Sequence, residues 1–228
     1  MRVLISILTI LFVVANVSAL EMSVGAKGGV GLSMFYGAEE DAVYDDQIVK
    51  PGFIGGAFYE MALMEYFSIQ PEVLFVMKGS RAEEEQEGIT VDITNSLNYL
   101  EIPILLIGKL PLGAITPQVF AGPAVAFRVG TGGSIELEGE GADAIREFFP
   151  TDDEIGESLD EQTNTIDFGI AMGAGVAIDF SPGEIILDVR YTLGLMDVYN
   201  EDEVPEGEQF FEHKNANLSF MAGYSIGF

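Results

Sequence analysis

The sequence predicts an all-β fold: eight antiparallel strands closed into an up-and-down transmembrane β-barrel with long acidic outer loops. Three observations carry this. Apolar residues alternate with small or polar ones along successive segments, short turns alternate with acidic links, and the non-apolar face holds the ionisable residues. A side-chain period of two belongs to strands. A small soluble barrel is apolar within; charges on the inner face suit a cylinder surrounded by hydrocarbon.

The last segment alternates most cleanly. Ala216, Leu218, Phe220, Ala222, Tyr224, Ile226 and Phe228 are separated by residues such as Asn217, Ser219, Gly223, Ser225 and Gly227. A first strand near Met22 to Tyr36 sets Val24, Ala26, Val30, Leu32 and Met34 against Ser23, Gly25, Lys27, Gly29, Gly31 and Ser33. Glu39 to Asp46 is an acidic link. The second strand, about Gly52 to Leu63, turns Phe53, Ala57, Tyr59 and Met61 outward and Glu60 inward, with Phe58 beside it. A short link, Met64 to Tyr66, leads to the third, where Phe67, Ile69, Val73, Phe75 and Met77 oppose Ser68, Gln70, Glu72 and Lys78. Ser80 to Gly88 reads as an acidic loop.

The fourth strand, about Ser96 to Gly108, separates Leu100, Ile102, Ile104 and Leu106 from Tyr99, Glu101 and Pro103. Pro103 has no N–H for a ladder, which predicts a bulge or a missing bond. The fifth, about Pro117 to Val129, points Val119, Ala121, Val125 and Phe127 outward and Gln118, Gly122 and Arg128 inward. Gly130 to Thr165 is a long acidic interruption in which Asp143 to Phe149 can form a short helix. The sixth strand, Ile166 to Asp179, opposes Phe168, Ile170 and Met172 to Asp167, Gly169 and Gly173. After the Ser181-Pro182-Gly183 turn, the seventh sets Ile185, Leu187, Val189 and Tyr191 outward and Asp188, Arg190 and Thr192 inward. Asp197 to Glu212 is a further acidic loop. The links after strands one, three, five and seven thus read as long, and the others as short. Short turns belong on the periplasmic side of an outer-membrane barrel.

Composition narrows the function. The chain of 228 residues fits one domain. Its net charge of -27, from 37 acidic and 10 basic residues, excludes nucleic acid as a partner, because that binding needs Lys and Arg on the phosphates. A hydrophobic content of 48% argues against disorder. Absence of Cys excludes disulfides, thiolate metal sites and a Cys nucleophile. Residues 1–19 read as a cleavable secretory signal: Arg2, the apolar run Val3 to Ala15, then Val17-Ser18-Ala19, with cutting after Ala19. That run is shorter than the ~20 residues a spanning helix needs. Strands of the 20–228 domain must therefore carry the chain, placed in the outer membrane of a Gram-negative-type envelope.

Lys27, Glu60, Glu72, Lys78, Glu101, Arg128, Asp188 and Arg190 are the expected interior charge network, with Asp167 on the same face. Eight strands enclose a space that side chains just fill. The interior is thus expected to be polar and plugged, in a structural or interaction protein. A narrow cation-favouring pore and a soluble secreted ligand-binding barrel are the alternatives. Asp152, Asp153 and Glu154, and the acids of Asp197 to Glu203, are candidate divalent-cation ligands through their oxygens, although neither stretch has EF-hand spacing. A solvated surface adapted to high salt explains the same acidity. His213, the only histidine, reads as a solvated loop residue between Glu212 and Lys214. No Ser–His–acid set accompanies it, so neither an enzyme nor a cofactor is expected. Phe228 is the expected signal for the barrel-assembly machinery, and the product a monomer in outer-membrane lipid.

Five segments carry a family resemblance: Pro51-Gly52-Phe53, Phe67-Ser68-Ile69-Gln70-Pro71-Glu72-Val73-Leu74-Phe75, Tyr99-Leu100-Glu101-Ile102-Pro103-Ile104-Leu105, Val119-Phe120-Ala121-Gly122-Pro123 and Leu187-Asp188-Val189-Arg190-Tyr191. They resemble the PorT-like, porin-family small outer-membrane β-barrel domains over nearly the whole mature chain. The resemblance implies an eight-stranded outer-membrane barrel, in a family mostly without an assigned biochemical role. The strongly acidic loops depart from the usual member.

Overall fold

The computed structural model describes residues 21–37, 47–86, 88–139, 142–200 and 213–228. The signal 1–19 with its cut at Ala19, the link Glu39 to Asp46 and residues 201–212 of the last acidic loop lie outside the described residues.

Eight strands form the ring: β1 Met22–Tyr36, β2 Lys50–Met64, β3 Phe67–Gln86, β4 Ile89–Lys109, β5 Ile115–Gly139, β6 Ile166–Phe180, β7 Gly183–Asp197 and β8 Lys214–Gly227. Each pairs antiparallel with its sequence neighbours, and β1 closes on β8 from Ser23↔Gly227 to Tyr36↔Lys214. Closure leaves no open edge in the ring, which a membrane requires because hydrocarbon offers backbone amides no partner.

The alternation decides which way each strand faces. Phe168, Leu187 and Phe220 lie exposed on the outside, as do Val30, Val119 and Phe53. Glu72, Asp188 and Arg190 are buried inside. An apolar surface this continuous exceeds what a soluble monomer exposes. A Lys or Arg on it at the bilayer midplane would cost ~2–4 kcal/mol.

Short turns join β2 to β3, β4 to β5 and β6 to β7, and Gly113 in the second of them adopts φ 78°. At the opposite end the structure corrects the expected loop at Ser80 to Gly88. β3 and β4 run on through it, and only residues 87 and 88 connect them, with Gly88 at φ 83°. β5 likewise continues past Val129 to Gly139. These three strands have 20, 21 and 25 residues against 14 or 15 in the other five, so they rise as a wall above the ring. A two-residue strand, Gln47–Ile48, pairs with Ala82 and Arg81 on the β3 edge. On the outward face of β3, Phe75 and Met77 give way to Arg81, Glu83 and Glu85. The strand period is unbroken; only the surrounding solvent changes. Glu83, Asp92 and Glu136 stand directly opposite one another across the wall, and Arg81 pairs with Asp92.

The expected interruption from Gly130 to Thr165 is thereby shortened, and most of its described remainder is helical. α1 (Ala142–Ile145) and a 3₁₀ turn (Arg146–Phe148) occupy the expected short helix, and a longer one, α2 (Asp152–Gln162), follows unanticipated. Its start is a capping box: Thr151 Oγ1 accepts from the Glu154 N–H, and the Glu154 carboxylate accepts from the Thr151 N–H. α2 lies against β5, where Thr131 Oγ1 donates to the Gly156 carbonyl at 2.9 Å. Gly133 makes room for Ile155; a Cβ there would collide with its Cγ2.

Pro103 produces a gap rather than a bulge. The β3–β4 ladder passes from Pro71↔Ile104 to Leu74↔Glu101 in unchanged register. The bulge lies instead on the β4–β5 pair between Asn98 and Tyr99, opposite Arg128 to Gly130. The interior, expected to be plugged by polar side chains, also holds apolar layers. Ile54, Leu74, Val76 and Met221 form one buried apolar cluster, Leu105, Ile107, Phe120, Ala124 and Ala171 another, and Phe58, Ala177 and Ile186 a third. Neither the β3 nor the β4 segment is apolar on one face only, so inward Leu74, Val76, Leu105 and Ile107 were hidden within apolar runs.

Candidate functional site: the charge layers inside the barrel

Glu72 on β3 is the centre of the lower layer. Arg190 on β7 reaches it with both terminal nitrogens, Nη1 to Oε2 at 2.8 Å and Nη2 to Oε1 at 2.9 Å. Lys27 on β1 joins the same carboxylate at 2.8 Å and bridges to Asp188 at 2.9 Å. Gln70 donates to Glu72 Oε1 at 2.6 Å. The side chains of Arg190 and Glu72 are 0% exposed. Two cations and two anions thus cancel in a cross-brace joining three strands. Paired forks of this kind are the strong ion pairs, and desolvation makes loss of one partner costly. Aromatic rings complete the layer: Lys27 Nζ lies 5.2 Å from the Phe58 centroid and the Arg190 guanidinium 5.3 Å from that of Phe120.

The upper layer is built on Lys78. Its ammonium lies 2.8 Å from Glu101, 3.9 Å from Asp167 and 5.1 Å from the Tyr99 ring centroid. Asn215 donates to Asp167 at 3.0 Å, and Asn217 to the Ser33 hydroxyl at 2.7 Å. Lys50 Nζ donates to the Lys78 carbonyl at 3.3 Å. Above these sits an apolar cap of Phe35, Leu97, Tyr99, Ala126 and Val198, with Tyr199 against it. His213, expected as a solvated residue, belongs to this cap. Its ring meets Tyr199 edge-on at 5.5 Å and Phe35 at 6.3 Å.

Two expected members of the network lie elsewhere. Glu60 pairs with Lys109 at the short-turn end. Arg128 turns toward α2, holding the Asp160 carboxylate and the carbonyls of Asp160, Thr163 and Asn164, the last two at 3.1 and 3.4 Å. It therefore anchors the outer helix and pairs with no interior carboxylate among the described residues. Asp152, Asp153 and Glu154 form the first turn of α2, where negative charge suits the helix dipole. Among the described residues no three acidic or histidine side chains converge as metal ligands. Phe228 is exposed; its N–H bonds Met22 O at 2.9 Å and its ring lies 6.4 Å from that of Tyr59.

Lys50 and Lys109 escaped the sequence reading because the strands were ended too early, at Gly52 and Gly108. Continuing the period of two outward to Lys50 would have found the first. Gln70 was visible as an inward polar residue, and Asn215 lies one position before the alternation that starts at Ala216, but nothing in the sequence joined either to a particular carboxylate.

A closed sheet that is apolar outside, with ion pairs across its centre, defines a transmembrane β-barrel. The chain belongs to the outer membrane protein beta-barrel domain family, whose model matches residues 15–200. This makes it an outer-membrane β-barrel protein. Comparison with curated proteins gives no match. Among solved structures it is similar to Neisserial surface protein A, at 12% identity and a TM-score of 0.43, covering 91% of this chain and 97% of that one. It is similar also to outer membrane protein W of E. coli, at 13% identity and a TM-score of 0.36, covering 90% and 97%.

Proposed function

We propose that the chain is a sealed outer-membrane barrel with a structural or interaction role, presenting the β3–β5 wall and α2 on the outer side. The single supporting observation is the Arg190–Glu72 fork with its side chains fully buried. Conduction needs a continuous wet path, whereas eight strands enclose a space that side chains just fill, and Lys27, Phe58 and Phe120 pack about the fork. The reading is non-enzymatic. The mature chain begins at Leu20 and is inserted as a monomer, with Phe228 read by the assembly machinery. Its narrower likeness to PorT-like domains rests on the Phe67–Phe75 and Tyr99–Leu105 segments.

Planar-bilayer recording of the refolded mature chain tests this. Silence is expected from protein whose folded state is verified by heat-modifiable gel migration. Steady cation-selective channels would establish the pore reading instead.

A further inference from the structure

Below the lower charge layer, the short-turn end opens into two adjoining cavities of 550 and 460 Å³. Both are lined by Glu21, Ala62, Lys109 and Glu184; Glu60 and Glu65 line one each. Four side-chain carboxylates therefore face one side-chain ammonium, and that ammonium is already paired with Glu60. Glu184 accepts a hydrogen bond from the Ser225 hydroxyl at 3.5 Å; Lys109 acts on it through space, and no cation stands at ion-pair distance from it among the described residues. A second observation is independent of the acids. Ser68 lines the larger cavity, is 0% exposed, and its hydroxyl has no hydrogen-bond partner. Buried hydroxyls normally have one.

We propose that this vestibule binds a linear organic polyamine from the periplasmic side. Its charge selects a cation. The acids do not converge on a single point, so several separated ammonium groups fit them better than one metal ion. Each ammonium carries three donors, matching the Glu184 carboxylate at one end and the Ser68 hydroxyl deeper in. Ala62, Met64 and Pro111 supply apolar surface for the methylenes between, as stems of lysine side chains lie on apolar surface. The combined space is of the size that small-molecule sites occupy.

Spermidine is the probe, titrated into the refolded mature chain in zwitterionic micelles, by calorimetry and amide NMR. Saturable binding is expected, with shifts at Ser68, Lys109, Thr116 and Glu184. Glu184→Gln should weaken it about tenfold, and Ser68→Ala, which keeps every charge, should weaken it too. Glu157→Gln on α2 should leave it unchanged. The proposal is overturned by absence of saturation, by equal loss with Glu157→Gln, or by magnesium chloride producing the same shifts at matched ionic strength. Gel migration verifies folding of each variant; if Glu184→Gln does not fold, Ser68→Ala decides.

Discussion

At the residue scale, the buried charges of the lower layer are arranged so that they cancel. Removing Glu72 leaves Lys27 and Arg190 sharing Asp188; removing Arg190 leaves two carboxylates sharing Lys27. Each single change, Glu72→Leu or Arg190→Met, should destabilise the barrel by ~3–5 kcal/mol, the cost of an uncompensated buried charge. The double variant keeps the neutral Lys27–Asp188 pair and should lose much less than the sum of the two. Urea unfolding in lipid vesicles, as a double-mutant cycle, measures this. Additive losses would mean that Glu72 and Arg190 do not act through each other. Membership of these layers was partly legible. The parity of Lys27, Glu72, Asp188 and Arg190 followed from their apolar neighbours. That Arg128 serves α2 did not, because its acceptors are mostly backbone carbonyls of a helix the sequence reading lacked.

At the element scale, α2 depends on three local devices: the Thr151 cap, the Gly133 opening and the Arg128 clamp. Thr151→Ala should cost the helix ~1 kcal/mol, seen as faster amide exchange over 152–162 with the ring unaffected. Arg128→Ala should loosen the helix's C-terminal end, so that protease cuts between 140 and 165 sooner while heat-modifiable migration persists. Glu154 adds a pH dependence. Hydrogen bonds from the Thr151 backbone and side chain hold its carboxyl below the usual glutamate range. Its contribution is therefore complete above the unfolded glutamate value and is lost as pH falls through the lower folded one. Protection factors over 152–162, taken relative to the intrinsic exchange rate at each pH, should fall in that acidic window, and Glu154→Gln should remove this fall. The Thr151-x-x-Glu154 signature was available in the sequence. It went unread because acidity was equated with loop. The same equation hid the upper parts of β3 and β4: Glu83, Glu85 and Asp92 are acidic because they face water, and their backbone pairing continues regardless.

At the scale of the whole molecule, two solvents shape one ladder. Within hydrocarbon, the outer face is Val30, Phe168, Leu187 and Phe220 and the charges are gathered inside. Above it, the outward rows of the wall turn acidic while Val91, Ile93, Ile135 and Leu137 take the other face. Strand count and facing were legible because a period of two shows along most of the strands. The apolar layers between the charge layers were not. Inward Leu74 or Ile107 beside outward Val73 or Leu106 leaves no alternation to read, and only closure shows what they pack against.

That lipid surrounds the cylinder and that side chains fill it can be tested together. The chain has no native cysteine, so neighbouring single replacements on β8, Ser219→Cys and Phe220→Cys, can be compared in refolded vesicles. The discriminating measurement is their rate of reaction with a water-soluble thiol reagent and with a membrane-soluble one. The thiol of the Ser219→Cys variant should resist both until the protein is unfolded, and the thiol of the Phe220→Cys variant should react with the membrane-soluble reagent alone. Rapid labelling of the folded Ser219→Cys variant by the water-soluble reagent would contradict a filled interior.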